Sequence, residues 1–388
     1  MEPNIYFMPL GGGQRVGASC YYLRLGECNL ILDAGTGREK GLVFEPDLHS
    51  LVTTPFLQSA GQIHQIYISH AHADHIGYLP ELMRRAHTAG VYMTEMTALL
   101  SSYQLYDRPY LSRATMDTEP GFEDKRLETR YRLDQITTVS YMQRMDFGRY
   151  QVTFLPAGHI PGAMMMLFTC GRRRILYTGD YSLEGTALTD GCMVPEDLEV
   201  DTVILCGLHA RQPRYTKRAD CLSQTAKEVL RLVWQSGSPV MCRVPQLSKG
   251  IEFIRSLNEW NVQRIPVYID QSVMEIAVRM EQLSVPILSS NDRILGAQTP
   301  GGPHIYVTSE GTSVGGKDYQ KVNVDFCLHE DFPEMKKFLK RLNPRQAVIV
   351  HCAREASPSD ETIEQVLMKD GECRTQFLFA EERELYQL

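Results

Sequence analysis

The stretch SHAHADHIG, residues 69–77, places three histidines and an aspartate within six consecutive positions. Neutral imidazoles and a carboxylate are costly to bury at this density unless a partner satisfies them. A metal ion is a partner that both kinds of group can bind. The alternative interpretation is a histidine-rich surface loop. The candidate ligands in this stretch are His70, His72, Asp74 and His75.

The flanks of this stretch predict a strand before it and a helix after it. The preceding QIYIS alternates polar and apolar residues, as a half-buried strand does. The following GYLPELMRRAH places Leu79, Leu82 and Met83 at helical spacing. The histidines therefore lie on a strand-to-helix loop, where layered α/β proteins commonly bind ligands. This position favours the metal-binding interpretation.

The composition is that of a globular protein with reduced thiols. The 388 residues suffice for two domains or for one with a large insertion, and the charged and apolar fractions of 22% and 43% are ordinary. No apolar run is long enough to span a membrane, and MEPNIYFMPLGGG lacks the features of a secretory signal. Ten cysteines without a CxxC pair fit a reducing compartment. We therefore expect a cytoplasmic protein without a membrane-spanning segment.

The charge of the chain argues against a general nucleic-acid coat, because the net charge is −7. Two local basic segments remain as candidates. The arginines at 172–174 are interpreted as the turn of a hairpin around Gly171. The second segment is either a solvated linker or a phosphate-binding patch; it contains Arg211, Arg214, Lys217 and Arg218.

Four more polar residues each follow an apolar, strand-like run. A lone histidine in such a place is usually a hydrogen-bonded structural residue. The repeated order of strand, polar residue and small residue indicates a shared site instead. The four are Asp33 in NLILDAGTG, His159 in AGHIPGA, Asp180 in ILYTGDYS and His351 in QAVIVHCA.

Histidine and carboxylate ligands without cysteine suit two zinc ions, and manganese or iron would also accept them. Two metals about 3.5–4 Å apart stabilise the attacking and leaving oxygens and lower the pKa of bound water toward about 7. Hydrolysis is therefore the predicted reaction. Phosphodiesters, lactones, thioesters and β-lactams all remain open as substrates.

Together these elements resemble the metallo-β-lactamase fold and, more narrowly, its β-CASP branch of RNA-processing nucleases. PLGGGQRVGASC, residues 9–20, resembles the opening strand and turn of that branch. Asp33, the HAHADH run, His159 and Asp180 match the signature elements in order and spacing. The resemblance implies a four-layer αββα sandwich with an inserted, smaller α/β cap domain.

The resemblance also implies two divalent metal ions, for which zinc is expected, and RNA as the substrate. His351 resembles the RNA-processing members, since DNA-processing members tend to carry an apolar residue there. Asp33 would orient the metal-binding loop without binding metal itself. The implied ligands are His70, His72 and His159 for one metal, Asp74, His75 and His351 for the other, and Asp180 as the bridge between them.

The segment after Asp180 resembles the inserted domain and the return to the core. GSPVMCRVPQLSKGIEFIRSLNEW resembles a strand and a glycine-turned helix, and IPVYIDQSVMEIAVRM resembles the next strand and helix. VDFCLHEDFPEMKKFLKRLNPRQAVIVHC resembles the return segment. The expected division is 1–206 for the first part of the core, 207–326 for a shortened insertion and 327–388 for the return.

The expected catalytic residues are Asp74, which also binds metal, and His329, which the resemblance places as a proton donor. The alternative for His329 is a structural role at a helix start. One departure affects this prediction, because Cys206 stands where the family carries a carboxylate that orients the histidine. A thiol can neither orient His329 nor raise its pKa well, so a buried core cysteine is the simpler interpretation.

Three hypotheses for the function follow. The first is a ribonuclease in which a metal-bridged hydroxide attacks the phosphorus. The second is a non-catalytic scaffold or RNA-binding partner, which Cys206 favours and the intact ligand set opposes. The third is a hydrolase of small esters or thioesters, which the inserted domain opposes. The sequence leaves the oligomeric state and the RNA sequence preference open.

Overall fold

The chain divides into two compact units in a computed structural model. The model describes residues 4–105, 134–215, 218–245, 247–283, 285–294, 301–309, 319–324, 326–356, 360–369 and 374–388. The first unit comprises Met1–Leu183, Cys192–Tyr215 and Glu330–Leu388, and the second comprises Glu184–Gly191 and Thr216–His329.

The described residues form 21 strands and eight α-helices. The strands are β1 (Ile5–Gly11), β2 (Cys20–Leu25), β3 (Cys28–Leu32), β4 (Gly37–Glu39), β5 (Leu42–Phe44), β6 (Gln65–Tyr67), β7 (Gly90–Thr94), β8 (Thr137–Val139), β9 (Arg144–Asp146), β10 (Gln151–Pro156), β11 (Met164–Cys170), β12 (Arg173–Tyr177), β13 (Thr202–Cys206), β14 (Val240–Arg243), β15 (Val267–Ile269), β16 (Asp292–Ile294), β17 (Ile305–Thr308), β18 (Gln320–Asn323), β19 (Gln346–Val350), β20 (Gln376–Phe379) and β21 (Tyr386–Gln387). The helices are α1 (Ala73–Ile76), α2 (Leu79–Arg85), α3 (Glu95–Leu105), α4 (Arg218–Ser236), α5 (Lys249–Trp260), α6 (Gln271–Gln282), α7 (Phe332–Leu342) and α8 (Ile363–Lys369).

Two sheets build the first unit. One has the order β21-β1-β2-β3-β6-β7-β8, and the other has the order β20-β19-β13-β12-β11-β10-β9. The small hairpin β4-β5 is separate from both. Strand β19 lies parallel to β13 although Gln346, where β19 begins, is 140 positions beyond Cys206, where β13 ends. The C-terminal segment therefore completes the same sheet as the residues around 202–206.

The two sheets share one apolar core. Phe7 and Tyr21 of the first sheet belong to the same buried cluster as Phe154 and Phe168 of the second. Burial of side chains this large contributes most of the hydrophobic stabilisation of such a unit. On its opposite face the first sheet buries α2, whose Leu79 and Leu82 are fully covered. The apolar side chains of α7 are also buried, and its Phe338 packs on Tyr181 with the ring centroids 4.7 Å apart.

The second unit contains a five-stranded sheet in the order β16-β15-β17-β14-β18. All of its described strand pairs are parallel. Helix α5 connects β14 to β15 and α6 connects β15 to β16, as the crossovers that parallel strands require, while α4 precedes β14. The helices predicted in KGIEFIRSLNEW and QSVMEIAVRM are confirmed as α5 and α6.

The other predicted elements are also confirmed. QIYIS contains β6, YQVTFLP contains β10, and Gly171 turns the chain between β11 and β12 with a positive φ of 58°. This mixed α/β architecture is consistent with a metallo-β-lactamase-like fold. The sequence did not predict that Glu184–Gly191 would pack with the second unit. There, the Thr186 hydroxyl donates to the buried carboxylate of Glu252 at 2.6 Å.

The basic segment around residue 211 is only partly covered by the described residues. Lys217 and the side chain of Arg218 lie outside them. Among the helices that are described, none is both long and apolar enough to cross a membrane.

Candidate metal centre

The histidine-rich loop connects β6 to the short helix α1 and is held by backbone hydrogen bonds from a neighbouring loop. The Ser19 amide donates to the Asp74 carbonyl at 2.8 Å, and the Thr36 amide donates to the Ala73 carbonyl at 2.9 Å. Gly35 permits this contact, because a Cβ there would lie 1.7 Å from the Asp74 carbonyl oxygen. The backbone carrying the candidate ligands is therefore fixed from a second segment.

Three histidines and an aspartate converge at the first candidate metal position. Nδ1 of His72 lies 3.1 Å from Nε2 of His70 and 3.1 Å from Nε2 of His159. One carboxylate oxygen of Asp180, Oδ2, lies 3.7 Å from each of the same two Nε2 atoms. The four ligand atoms all lie within 4.8 Å of one another. This is the four-donor geometry that a tetrahedral metal accepts.

A second group lies next to the first. It consists of Asp74, His75 and His351, whose ligand atoms also lie within 4.8 Å of one another. Nε2 of His351 is 3.8 Å from Oδ2 of Asp74. Asp74 and His75 lie in α1, and His351 directly follows β19. His351 adopts a positive φ of 51°, an uncommon conformation for this residue type that occurs at functional positions.

Asp180 faces both groups with different oxygens. Its Oδ2 faces His70 and His159, while its Oδ1 lies 3.3 Å from Nε2 of His75. Gly179 carries a positive φ of 52°, and a Cβ there would lie 2.6 Å from the Cβ of Ser69. The glycine therefore lets the Asp180 loop approach the histidine loop closely.

The donor set fits divalent metal ions. Burial, followed by the charge of His75, lowers the pKa of the His70 imidazole well below its usual value, which keeps this ring neutral and able to bind a metal. Burial raises the pKa of Asp74, but His75 and His351 outweigh it and lower the pKa overall. Both effects keep these side chains in their metal-binding forms.

The imidazole of His75 lies next to two carboxylates that favour a positive charge at this position. Burial lowers the pKa of its imidazole, but Asp180 and Asp33 outweigh burial and raise this pKa well above the usual value. Either a proton or a metal ion can supply the positive charge. The site is therefore built around two carboxylates that require cations.

Asp33 holds several groups of the site in place. It accepts hydrogen bonds from the Ser69 amide at 2.6 Å, the Ser69 hydroxyl at 2.7 Å and the Tyr177 hydroxyl. Its Oδ2 also lies 2.7 Å from Nδ1 of His75. A carboxylate behind a histidine fixes the ring orientation and the tautomer of a metal ligand. This geometry fits the orienting role predicted for Asp33.

Sequence reasoning did not identify three hydroxyl residues that support the site. Ser69 and Tyr177 bind Asp33, and Ser19 lies 2.9 Å from Nδ1 of His351. Ser19 is 332 positions from His351 in the chain. Each of the three lies in one of the motifs described above. No spacing pattern distinguishes these hydroxyl residues from other serines and tyrosines, so the sequence does not identify them.

Cys206 ends β13 and is buried beside Asp180. Burial, followed by the charges of Asp180 and Glu330, raises the pKa of its thiol well above the usual value. The sulfur of Cys206 lies within 4.8 Å of a carboxylate oxygen of Asp180. The cysteine is thus a neutral buried thiol, and it also contacts a candidate ligand. The buried Glu330 was not singled out from the sequence.

His329 is the last residue of the second unit. It immediately precedes Glu330, whose amide donates to the Tyr181 carbonyl at 3.1 Å in the first unit. The following helix α7 begins with Asp331 as its N-cap, and Glu334 completes a capping box. His329 is therefore not the capping residue of α7. Its catalytic role stays a prediction.

Comparisons with known proteins give the same family resemblance. Residues 17–205 match the family model described as the anti-Pycsar protein Apyc1. The chain is 26% identical over 302 residues to an endoribonuclease YSH1 of Gibberella zeae, covering 74% of this chain and 34% of that protein. It is 27% identical over 312 residues to the cleavage and polyadenylation specificity factor 73 of Drosophila melanogaster, covering 77% of this chain and 42% of that protein.

The names of these relatives, an endoribonuclease and a cleavage and polyadenylation factor, confirm the resemblance to RNA-processing nucleases predicted from the sequence. The chain spans only about a third to two fifths of the length of these curated relatives. A crystal structure of a protein of unknown function from Enterococcus faecalis V583 has a similar fold. Its TM-score is 0.63 at 11% identity, and the match covers 99% of this chain and 100% of that chain.

Proposed function

We propose that this chain is a metal-dependent ribonuclease that hydrolyses RNA phosphodiesters. The observation that carries the proposal is the pair of adjacent ligand groups that share Asp180. A single structural metal needs only four donors. Seven nitrogen and carboxylate donors, one of them the shared Asp180, suit a two-metal hydrolytic centre. The names of the relatives, endoribonucleases among them, support RNA as the substrate.

Two zinc ions are the proposed cofactors, with His70, His72 and His159 holding one of them. Asp74, His75 and His351 would hold the second, and Asp180 would contact both. Divalent ions bound there would lower the pKa of a water molecule toward about 7 and stabilise charge on the phosphoryl oxygens. We further propose that the first unit is a four-layer αββα sandwich and that the second unit corresponds to a shortened β-CASP domain.

The side chains of this chain would perform separate tasks in the reaction. Asp33 fixes the ring of His75 through the contact between its Oδ2 and Nδ1. The hydroxyl of Ser19 orients His351 in the same way. His329 is proposed to give a proton to the leaving oxygen, as the resemblance implies, which is general-acid catalysis.

The test is cleavage of a labelled single-stranded RNA by zinc-loaded protein, with metal content measured on the same preparation. We expect cleavage by the wild type and none by Asp74→Ala. The matched control is Asp197→Ala, since Asp197 is an exposed aspartate outside the site, and this variant should cleave like the wild type. Wild-type protein that holds two metals and cleaves no RNA would refute the proposal.

A non-catalytic RNA-binding scaffold is the second candidate function, because Cys206 stands in place of the carboxylate that the resemblance implies. Protein that binds RNA but holds no metal would support this alternative. Hydrolysis of a chromogenic thioester without RNA cleavage would support a small-ester hydrolase. We also propose a cytoplasmic location, supported by nine cysteines in the described part of the chain that form no disulfide bonds.

A further inference from the structure

A cleft in the first unit is lined by four arginines although the chain as a whole is acidic. The cleft has a volume of about 730 Å³. We call it the arginine cleft and define it by Arg15, Arg38, Arg354, Arg383 and Phe44. The carboxylates that line it are Glu39, Glu381 and Glu382. The net charge of the lining is therefore positive, whereas the chain carries −7.

The walls of the arginine cleft continue directly from the loops of the metal centre. Arg354 follows His351 by three residues, so their Cα atoms are at most about 11 Å apart. The His351 amide donates to the Gly12 carbonyl at 2.7 Å, and Arg15 lies three residues beyond Gly12. Arg38 lies three residues beyond Gly35, which contacts the Asp74 backbone. Three separate loops thus lead from candidate ligands to arginines of one cleft.

Two guanidinium groups in and next to the arginine cleft stack on aromatic rings. The guanidinium carbon of Arg15 lies 3.4 Å from the centroid of the Phe44 ring. At the rim, the guanidinium carbon of Arg211 lies 4.0 Å from the centroid of the Phe379 ring, and its Nη1 donates to Gln14 at 2.7 Å. Such stacking occupies the face of the guanidinium, and the N–H groups at its edge bind oxygens, as Arg15 does with the exposed carboxylate of Glu39. Arg211 belongs to the basic segment recognised in the sequence.

The ion pairs of the cleft are weak enough to be exchanged. Arg354 lies 3.5 Å from Glu381 with 73% of its side chain exposed, and Arg383 lies 3.1 Å from Asp47 with 65% exposed. Exposed pairs of this kind contribute little to stability. A phosphate can therefore replace the carboxylate as the partner of the guanidinium, in a charge-assisted and often bidentate contact.

We propose that the arginine cleft binds the phosphate backbone of single-stranded RNA that extends from the metal centre. This inference rests on the proposed function, because it names where the substrate flanking the scissile bond is held. Phosphates pair with the arginines, and unstacked bases can stack on the guanidinium planes. Binding of this kind depends on charge rather than on sequence.

A second arginine-lined cleft supplies the control. It contains Arg172, Arg174, Arg341 and Arg345 together with four carboxylates, so its formal charge is balanced. Arg172 lies in the hairpin turn predicted from the sequence, and Arg174 lies at the start of β12. Removal of two arginines from this cleft changes the net charge of the protein as much as removal of two from the arginine cleft.

The test measures binding of a fluorescein-labelled 20-nucleotide RNA by anisotropy, in an Asp180→Asn background that we expect not to cleave it. The variant Arg15→Gln/Arg354→Gln should bind about tenfold more weakly at 100 mM salt. Its slope of log affinity against log salt should fall by about 0.7 for each lost phosphate contact. The control Arg172→Gln/Arg174→Gln should match the parent in both quantities. Equal affinity and slope for the two double variants would overturn the proposal.

Two further measurements distinguish loss of RNA binding from misfolding, and failure of the cleft proposal from failure of the proposed nuclease function. Arg354→Gln alone changes a largely exposed side chain and should still lower the salt slope by about 0.7; an unchanged slope would count against the cleft. In the cleaving protein, the double variant should lose more activity on the 20-nucleotide RNA than on a dinucleotide. RNA cleavage without this length effect would refute the cleft alone. Arginine-dependent binding without cleavage by the wild type would refute the nuclease alone.

Discussion

Among the single residues of the candidate metal centre, Asp180 is expected to have the largest effect on the metal content. Its two oxygens face both ligand groups, so Asp180→Asn weakens both candidate sites at once. We expect the metal content to fall from two ions per chain to fewer than one, as measured by inductively coupled plasma mass spectrometry. Asp197→Asn is the matched control and should keep both ions. An Asp180→Asn protein that still holds two ions would show that Asp180 is not the shared ligand.

His329 is expected to act in catalysis without binding metal. Asp331, and not His329, caps α7, so a capping role does not explain this histidine. His329→Ala should keep the metal content of the wild type and lower the turnover of RNA by about 10²–10⁴, the range for a lost general acid. His87→Ala is the matched control, because His87 is an exposed histidine on the first unit. Loss of metal from His329→Ala would make His329 a ligand instead.

Cys206 gives a prediction that combines sequence and structure. The resemblance suggests that Cys206→Glu would restore a carboxylate and raise activity. The structure favours the opposite outcome, because the thiol is fully buried, lies within 4.8 Å of an Asp180 oxygen and feels the negative charge of Glu330. A third carboxylate there would face two others without water, which costs several kcal/mol.

We therefore expect Cys206→Glu to lower the Tm and to cleave no faster than the wild type. Cys206→Ser is the matched control, since it keeps a small donor for Asp180. A stable Cys206→Glu protein with faster RNA cleavage would contradict this expectation and would support the carboxylate implied by the resemblance.

At this scale, the sequence indicates the candidate ligands but not their supporting contacts. Motif spacing and strand ends mark His70 and Asp180, which the structure brings together, and their role as metal ligands stays a prediction. The bond between Ser19 and His351 was not found, because it joins residues 332 positions apart and a serine carries no pattern.

Among the secondary-structure elements, α7 carries the clearest local signal. Asp331 accepts a hydrogen bond from the Glu334 amide at 2.9 Å, and Glu334 accepts one from the Asp331 amide at 3.0 Å. The sequence HEDFPEM contains this capping box and a proline in the first turn. Helix starts of this kind can be predicted, since every group involved lies within four residues.

Asp331→Ala should destabilise the first unit by about 1 kcal/mol, the usual cost of a lost N-cap. The reason is that the amides at the start of α7 lose their acceptor while the helix stays packed through Phe338. Chemical unfolding followed by circular dichroism measures the change. Asp331→Asn is the matched control and should retain most of the stability, because asparagine also caps. Equal losses in the two variants would indicate that the charge, and not the cap, is what stabilises α7.

For the whole molecule, the division into units was the harder prediction. The pairing of β19 with β13 follows from a resemblance, since no local pattern links residues 202–206 to residues 346–350. The segment 184–191 has turn-like composition, and its packing depends on the tertiary contact between Thr186 and Glu252. Contacts between distant segments are set by the complete fold, so a local pattern does not contain them.

The last prediction concerns the stability of the whole molecule at alkaline pH. Burial raises the pKa of the phenols of Tyr21, Tyr177 and Tyr181 well above the usual value of about 10. Burial likewise raises the pKa of Tyr67 and Tyr150, whose hydroxyl oxygens lie 2.7 Å apart. Above pH 10 the unfolded chain loses these protons and the folded chain keeps them. Stability is therefore full below about pH 10 and falls as the pH rises, by up to about 1.4 kcal/mol per pH unit for each buried phenol.

Tyr67→Phe isolates one phenol of this group and leaves every candidate ligand unchanged. At pH 7 the variant should be less stable than the wild type by about 1 kcal/mol, because Tyr150 loses its hydroxyl partner. Between pH 10 and 11 the difference should shrink or reverse, because the variant has one phenol fewer to deprotonate on unfolding. Thermal midpoints of both proteins at pH 7, 9, 10 and 11 measure this. A constant difference between the two midpoints across this range would mean that Tyr67 ionises as readily in the folded chain as in the unfolded one.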